Sequence, residues 1–203
     1  MKKTSLLILC FAFALSMYAQ KNEGRKLKGK IGITFSSFGS DFLFRSEPLD
    51  GEASYNSDKF YTLGLTYAYQ LNKIFEFETG IEYSKYKIVI DPFDPPFNEA
   101  PSHGEQFSLI NIPLTFRANF LKYVFVNGGF ILDIDPTISS PVDSQNGIGA
   151  ILGLGLKYDF DSGISAFVNP YMKAHSLISV SAPENHQQLL ETGFRFGVMY
   201  KLK

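Results

Sequence analysis

The chain has 203 residues, 19 Lys and Arg against 20 Asp and Glu, a formal charge of −1 and one cysteine. So balanced a charge gives no footprint for nucleic acid, and a lone Cys10 supports neither a disulfide framework nor a thiolate metal site. Twenty Phe, 11 Tyr and 17 Gly beside only 19 % charged residues suit a surface that water does not wet everywhere.

Met1 to Ala19 has the order of a secretory signal. Lys2 and Lys3 begin it, Leu6 to Leu15 form its apolar stretch, and Met17-Tyr18-Ala19 precedes a cleavage point before Gln20. Cys10 lies inside this stretch behind Ile8 and Leu9, without the small residues that a lipid-attachment site needs. Residues 20–26 read as a short periplasmic N-terminal segment and 27–203 as one β domain. After residue 20 the best apolar run, Ile148 to Leu156, is broken by glycines and far short of the roughly 20 residues of a spanning helix. Any membrane crossing must use strands.

Eight alternating segments follow in order. Leu27 to Phe38 sets Leu27, Ile31, Ile33 and Phe35 against Lys28, Lys30, Gly32 and Thr34. Lys59 to Leu71 sets Tyr61, Leu63, Leu65, Tyr67, Tyr69 and Leu71 against Thr62, Gly64, Thr66, Ala68 and Gln70. Ile74 to Ile90 sets Phe75, Phe77, Ile81 and Tyr83 against Glu76, Glu78, Gly80 and Glu82. Gln106 to Phe120 sets Ile110, Ile112, Leu114, Phe116 and Phe120 against Asn111, Thr115, Arg117 and Asn119. Tyr123 to Asp135 is apolar on both faces, with Val124, Val126, Phe130, Leu132 and Ile134 the more uniform row. Gly147 to Phe160 sets Ile148, Ala150, Leu152, Leu154, Leu156, Tyr158 and Phe160 against Gly149, Gly153, Gly155, Lys157 and Asp159. Ile164 to Val180 is weaker, with Val168, Pro170 and Met172 against Phe167, Asn169, Tyr171 and Lys173. The final stretch sets Phe194, Phe196, Val198, Tyr200 and Leu202 against Gly193, Arg195, Gly197, Met199 and Lys201. A period of two puts each pair of rows on opposite faces of a strand.

The gaps alternate in length. Asn72-Lys73, Leu121-Lys122 and Asp161-Ser162-Gly163 read as tight hairpins, whereas 39–58, 91–105, 136–146 and 179–188 are long and polar. Short connections on one rim and long ones on the other are the arrangement of outer-membrane barrels, with tight periplasmic turns and longer external loops. Eight strands are only just wide enough to be filled by their own side chains. The large residues share the apolar face and the small ones the other, so the apolar row is expected outside, in an all-β, closed, antiparallel up-and-down transmembrane barrel. Tyr67, Tyr69, Phe75, Phe77, Phe116, Phe120, Phe125, Tyr158, Phe160 and Tyr200 gather near the short-turn ends, as an interfacial girdle would.

Two stretches carry a family resemblance. Arg195, Gly197, Tyr200 and Leu202 in "RFGVMYKL" resemble the C-terminal β-signal read by the barrel assembly machinery, with Lys203 added where many such proteins end on Phe. "LINIPLTFRANF" (109–120) and "VNGGFIL" (126–132) resemble the Bacteroidetes outer-membrane β-barrel domain family, which includes PorT-like proteins. The resemblance implies a small barrel in outer-membrane lipid with periplasmic termini and extracellular long loops, and it transfers no catalytic residue. Pro113 removes a ladder hydrogen bond, so a bulge is expected there.

Candidate sites are sparse. Glu76, Glu78, Glu82, Arg117, Lys157 and Arg195 should form a charge network in the lumen, because acids and bases confined together must pair. A lipid-acting enzyme would need a Ser–His–acid set. His175-Ser176 with Glu184 or Glu191 is the candidate, but neighbours on a strand face opposite ways, and His103, His175 and His186 read as solvated rim or loop groups. Asp41, Glu47, Asp50, Glu52, Asp58, Asp91, Asp94, Glu99 and Glu105 lack the spacing of a Ca²⁺ loop, and Pro92, Pro95, Pro96 and Pro101 stiffen one connection. The expectation is a barrel with a structural or surface-interaction role, a plugged lumen, no cofactor, no metal and no catalysis. The alternatives are a lipid-acting barrel enzyme and a soluble periplasmic barrel for a small apolar ligand.

Overall fold

The computed structural model of the chain describes residues 29–44, 54–91, 102–120, 122–137, 142–180 and 186–202. The expected signal (1–19) and N-terminal segment (20–26), and with them Leu27, Lys28, Lys203, Glu184 and the four loop prolines, lie outside the described residues.

Eight strands run in chain order: β1 (Gly29–Phe44), β2 (Ser54–Gln70), β3 (Phe75–Asp91), β4 (His103–Phe120), β5 (Val124–Ile134), β6 (Gly147–Asp159), β7 (Ile164–Ser179) and β8 (Gln188–Lys201). Each pairs antiparallel with its sequence neighbour, and β8 pairs with β1, closing a barrel that has no free edge. Local chemistry makes the tight turns. The Asn72 side chain accepts from the amides of Ile74 and Phe75, both at 2.8 Å, in the β2–β3 turn. Gly163, at φ 86°, supplies the left-handed residue of the β6–β7 turn.

The apolar rows face outward around the whole ring. Ile33 and Phe130 are each 64 % exposed and Leu152 58 %, and Leu65, Ile81, Phe116, Leu154, Phe196 and Val198 share that surface. From Tyr61 to Tyr69 the outward row of β2 spans about 27 Å of strand at ~3.4 Å per residue. A tilt near 40° reduces this to about 21 Å of height, close to the ~25 Å apolar band of such barrels. In water this belt would be a continuous exposed patch with nothing to cover it; in hydrocarbon it is solvated. Tyr69, Phe75, Phe116, Phe120, Tyr123, Tyr158, Phe160 and Tyr200 are exposed near the short-turn end. Phe125 is not in that girdle: it is fully buried in the lumen, on the odd-numbered face of β5.

Toward the long connections the pattern keeps its period but inverts its polarity. On β3, Tyr86, Ile88 and Ile90 turn inward while Lys85 and Lys87 turn outward. Phe60, Phe107, Leu109 and Leu189 complete an inner apolar cluster with them. The strands therefore continue beyond the apolar belt as a water-exposed barrel, and β1, β2 and β4 run further than the belt pattern alone predicts.

Two departures from a regular ladder matter. The register of β1 on β8 shifts between Ser37 and Ser40, where Phe38 takes φ 59°. The register of β6 on β7 shifts between Ile148 and Ala150, opposite Ser176 at φ 48°. Pro113 makes no bulge: Leu114 pairs with Thr79 and Asn111 with Glu82 in one continuous register, and Pro113 pairs with Ile131 on the other side. A missing N–H removes a ladder bond without requiring an extra residue.

Candidate functional site: the lumen

Small residues on the inner face make room for long polar ones. A side chain at Gly153 would meet the amides of Asn127 and Asn169, and one at Gly155 or Gly197 would strike the ring of Phe125 or Phe167 within 2.3 Å. Into this space β3, β4, β5, β7 and β8 send charged groups that join in one chain across the barrel.

Near the short-turn mouth, Lys30 bonds Asp159 at 2.9 Å and lies 3.9 Å from Glu76. Lys157, half-buried, reaches Asp159 at 3.5 Å. Deeper in, Arg117 pairs with Glu78 and stands 3.9 Å from Glu76. Its guanidinium covers the rings of Phe125 and Phe167 at 4.2 and 4.8 Å, a cation–π arrangement in a desolvated setting. Arg195 meets the other oxygen of Glu78 at 2.8 Å and Glu82 at 3.7 Å, and donates to Asn169 at 3.3 Å. Lys173 bonds Glu82 at 2.8 Å and Glu191 at 3.5 Å.

Glu191 then accepts from the hydroxyls of Tyr86 and, at 2.5 Å, Tyr171. His175 sits between two acids, Nδ1 3.0 Å from Asp133 and Nε2 3.8 Å from Glu191. Asp133 also accepts from the side chain of Asn111 at 2.7 Å and the backbone amide of Ser176 at 3.0 Å. Glu78, Glu82, Glu191 and Asp133 face Arg117, Arg195, Lys173 and His175, and all eight are buried. These four acids balance the four bases when the imidazole carries both its protons, which is what two flanking carboxylates call for, while the buried Glu76 lies 3.9 Å from both Arg117 and Lys30 toward the mouth.

Among the described residues, apolar side chains and one connection lie over the network at the long-connection end. The apolar cluster of Phe60, Tyr86, Ile88, Phe107, Leu109 and Leu189 lies over it, joined by Val142 from the β5–β6 connection. That connection is latched: the Gln145 side chain donates to the carbonyl of Gln187 at 2.7 Å and accepts from the amide of Leu189 at 3.2 Å. Asp143 accepts from the amide of Gln187 at 2.9 Å. At the opposite mouth the space among Lys30, Ala68, Glu76 and Lys201 measures about 10 Å³, room for roughly one water.

Of the six residues expected in the lumen, Glu76, Glu78, Glu82, Arg117 and Arg195 are buried and Lys157 is at the mouth. Sequence reading missed Lys173, Asp133, Tyr86 and Tyr171 as lumen groups and named Glu191 only as an acid for His175, although each shares the inward parity of its strand. His175 is a correction: it is fully buried and ion-paired, not a solvated rim group. Ser176 is buried beside it because the bulge turns both neighbours inward. The two do not form a catalytic pair. The ring nitrogens of His175 face Asp133, Glu191 and, at 3.4 Å, the Tyr86 hydroxyl, whereas the Ser176 hydroxyl points to the carbonyl of Asn146. His103 is exposed at the start of β4 and His186 half-buried against the carbonyl of Ser176.

Of the acidic candidates for Ca²⁺, Asp41 is buried on β1, Glu105 is half-buried on β4, and Asp58 and Asp91 fall within strands. Glu47, Asp50, Glu52, Asp94 and Glu99 lie outside the described residues. Among the described residues no group of acids, His or Cys is placed to hold a metal ion. In the terminal segment, Arg195 points inward, Gly197 lies against the Phe167 ring, Tyr200 is exposed, and the Leu202 amide donates to the carbonyl of Gly29 at 2.8 Å.

An apolar outer belt and a packed ionic interior on eight closed strands form the inside-out pattern of a lipid-embedded barrel. The sequence matches the outer membrane protein beta-barrel domain family over residues 5–201. The chain belongs to that family. Its fold is also that of the outer membrane protein AlkL, solved by solid-state NMR in DMPC lipid bilayers. The TM-score is 0.54 at 13 % identity, covering 92 % of this chain and 95 % of that one. The translocator domain of the autotransporter NalP from Neisseria meningitidis aligns over 98 % of this chain and 97 % of its own, with 10 % identity and a TM-score of 0.37. No curated protein matches in sequence. The family places this barrel in the outer membrane.

Proposed function

We propose that this protein is a small structural or surface-interaction barrel whose lumen is plugged and conducts nothing. The observation that supports this reading is the continuous ion-paired chain from Arg117 to Asp133, roofed by the apolar cluster and the latched Val142–Gln145 segment. An open pore would leave these charges in water; here the eight central ones are buried against one another. Catalysis has no supporting geometry, since the inner His lies beneath the roof and faces acids. A soluble carrier is disfavoured by the exposed apolar belt.

In this reading residues 1–19 are a cleaved export signal, 20–26 a periplasmic segment and 27–203 the barrel. Arg195, Gly197, Tyr200 and Leu202 form the assembly signal, the termini are periplasmic and the long connections extracellular. The PorT-like branch of the Bacteroidetes barrels supplies the sequence parallel, through the Ile112-Pro113 strand and the glycines that follow. Cell fractionation tests the placement: heat-modifiable protein should appear only in the outer membrane, with its long connections cleaved by protease added to intact cells. Recovery from the periplasm without detergent would overturn it, and cleavage only after the cells are opened would reverse the orientation.

A further inference from the structure

Lys59, Lys85 and Lys87 share the outward face of β2 and β3. Lys59 pairs directly with Lys87, and Lys85, opposite Tyr61, stands two residues nearer the belt. They sit where the polarity of the strand inverts, one step beyond the outward Tyr61 and Tyr83. Among the described residues no other Lys or Arg faces outward at the long-connection end. The cations of the opposite end are scattered over separate turns and strand ends, at Lys73, Lys122 and Lys201.

Directly below the lysines the wall is indented. A hollow of about 800 Å³ runs along the lipid-facing side from β7 through β8, β1, β2 and β3 to β4, lined chiefly by Ile33, Leu63, Leu65, Ile81, Phe196 and Val198. Its floor is the backbone of the inward-facing positions between two outward rows, Gly64 and Gly197 among them. Its upper edge is Tyr83, beside Lys85 in the strand. Steps of ~3.4 Å put Lys85 and Lys87 roughly 7 and 14 Å along the strand from that edge, where the headgroup region of a leaflet begins.

We propose that this face binds a phosphorylated membrane lipid, with its phosphates on Lys59, Lys85 and Lys87 and an acyl chain in the hollow. The proposal rests on the membrane placement argued above. Two features select the occupant. The hollow opens to hydrocarbon, so what fills it is an acyl chain. The cations lie at that chain's polar end, so its headgroup is anionic, and three lysines on adjacent strands suit a headgroup with more than one phosphate. Lys87 also has an interaction within the chain, so Lys59 and Lys85 make the first contacts and Lys87 adds to the field.

The test uses the purified full-length protein in neutral detergent, titrated with diphosphoryl lipid A or its dephosphorylated form, with bound lipids counted by native mass spectrometry. Wild type should favour the phosphorylated lipid. Lys59→Gln with Lys85→Gln should weaken that binding roughly 30-fold, from the per-lysine attraction of a charged membrane surface, and leave the dephosphorylated lipid unchanged. Leu65→Trp, which fills the hollow, should weaken both lipids. Double-variant affinity within threefold of wild type, equal wild-type binding of the two lipids, or full competition by inorganic phosphate would each overturn the proposal. Heat-modifiable migration of every variant, checked in parallel, separates failure of the lipid site from failure of the barrel.

Discussion

Removing the Lys173 ammonium is the sharpest perturbation of the interior. Lys173 is fully buried, 2.8 Å from one carboxylate and 3.5 Å from another. At an effective dielectric near 20, these contacts are worth about 6 and 5 kcal/mol of gross attraction. Desolvation of the ions takes back several kcal/mol each, so the net effect is far smaller than the sum. Loss of one partner nevertheless leaves excess buried charge, for which about 3–5 kcal/mol is typical. Lys173→Met should therefore destabilise the folded barrel by about 3–5 kcal/mol. Adding Glu82→Gln should recover at least half, because it restores the balance of four acids and four bases to three of each. Urea unfolding in lipid vesicles, followed by the loss of heat-modifiable migration, measures both. A Lys173→Met variant within about 1 kcal/mol of wild type would refute the reasoning, since that is what a solvated ion pair is worth.

Other outcomes are expected from single positions. Gly155→Val would drive its Cβ into the Phe125 ring at 2.3 Å and should cost about 1–3 kcal/mol in the same unfolding assay. Ser176→Gly should stabilise by about 1 kcal/mol by relieving the left-handed backbone, provided the amide bond to Asp133 persists; no gain would show that the bulge is unstrained. Tyr200→Asp, or loss of residues 200–203, should abolish insertion, because it removes the end of the closing strand; normal heat-modifiable migration of the variant would contradict this. Substitution of Lys203 should leave insertion unchanged by the same gel.

The barrel was legible in the sequence because its two faces differ in volume as well as polarity. Rows such as Tyr61, Leu63 and Leu65 against Thr62, Gly64 and Thr66 have one reading in an eight-strand ring. The upper strands were harder to read because Tyr86, Ile88 and Ile90 reverse the hydrophobic phase at Lys85 without breaking the period. A rule that follows one apolar row stops there. The lumen was half legible. Glu76, Glu78, Glu82, Arg117 and Arg195 could be placed by parity, but their partners come from strands far apart in sequence, such as Lys173 for Glu82, and periodicity carries no cross-barrel information. His175 and Ser176 were misread because a bulge suspends the alternation that period-two reasoning assumes. Pro113 shows the converse, a feature that predicts a bulge where the register absorbs it.

The central claim is a filled lumen, and current through single molecules tests it most directly. Purified, refolded protein in a planar bilayer should show no steady conductance, because in the proposed reading the ion pairs, the Phe125 and Phe167 rings and the latched roof fill the lumen. Reproducible unitary steps from the wild-type protein would contradict the plugged barrel and reassign it to transport.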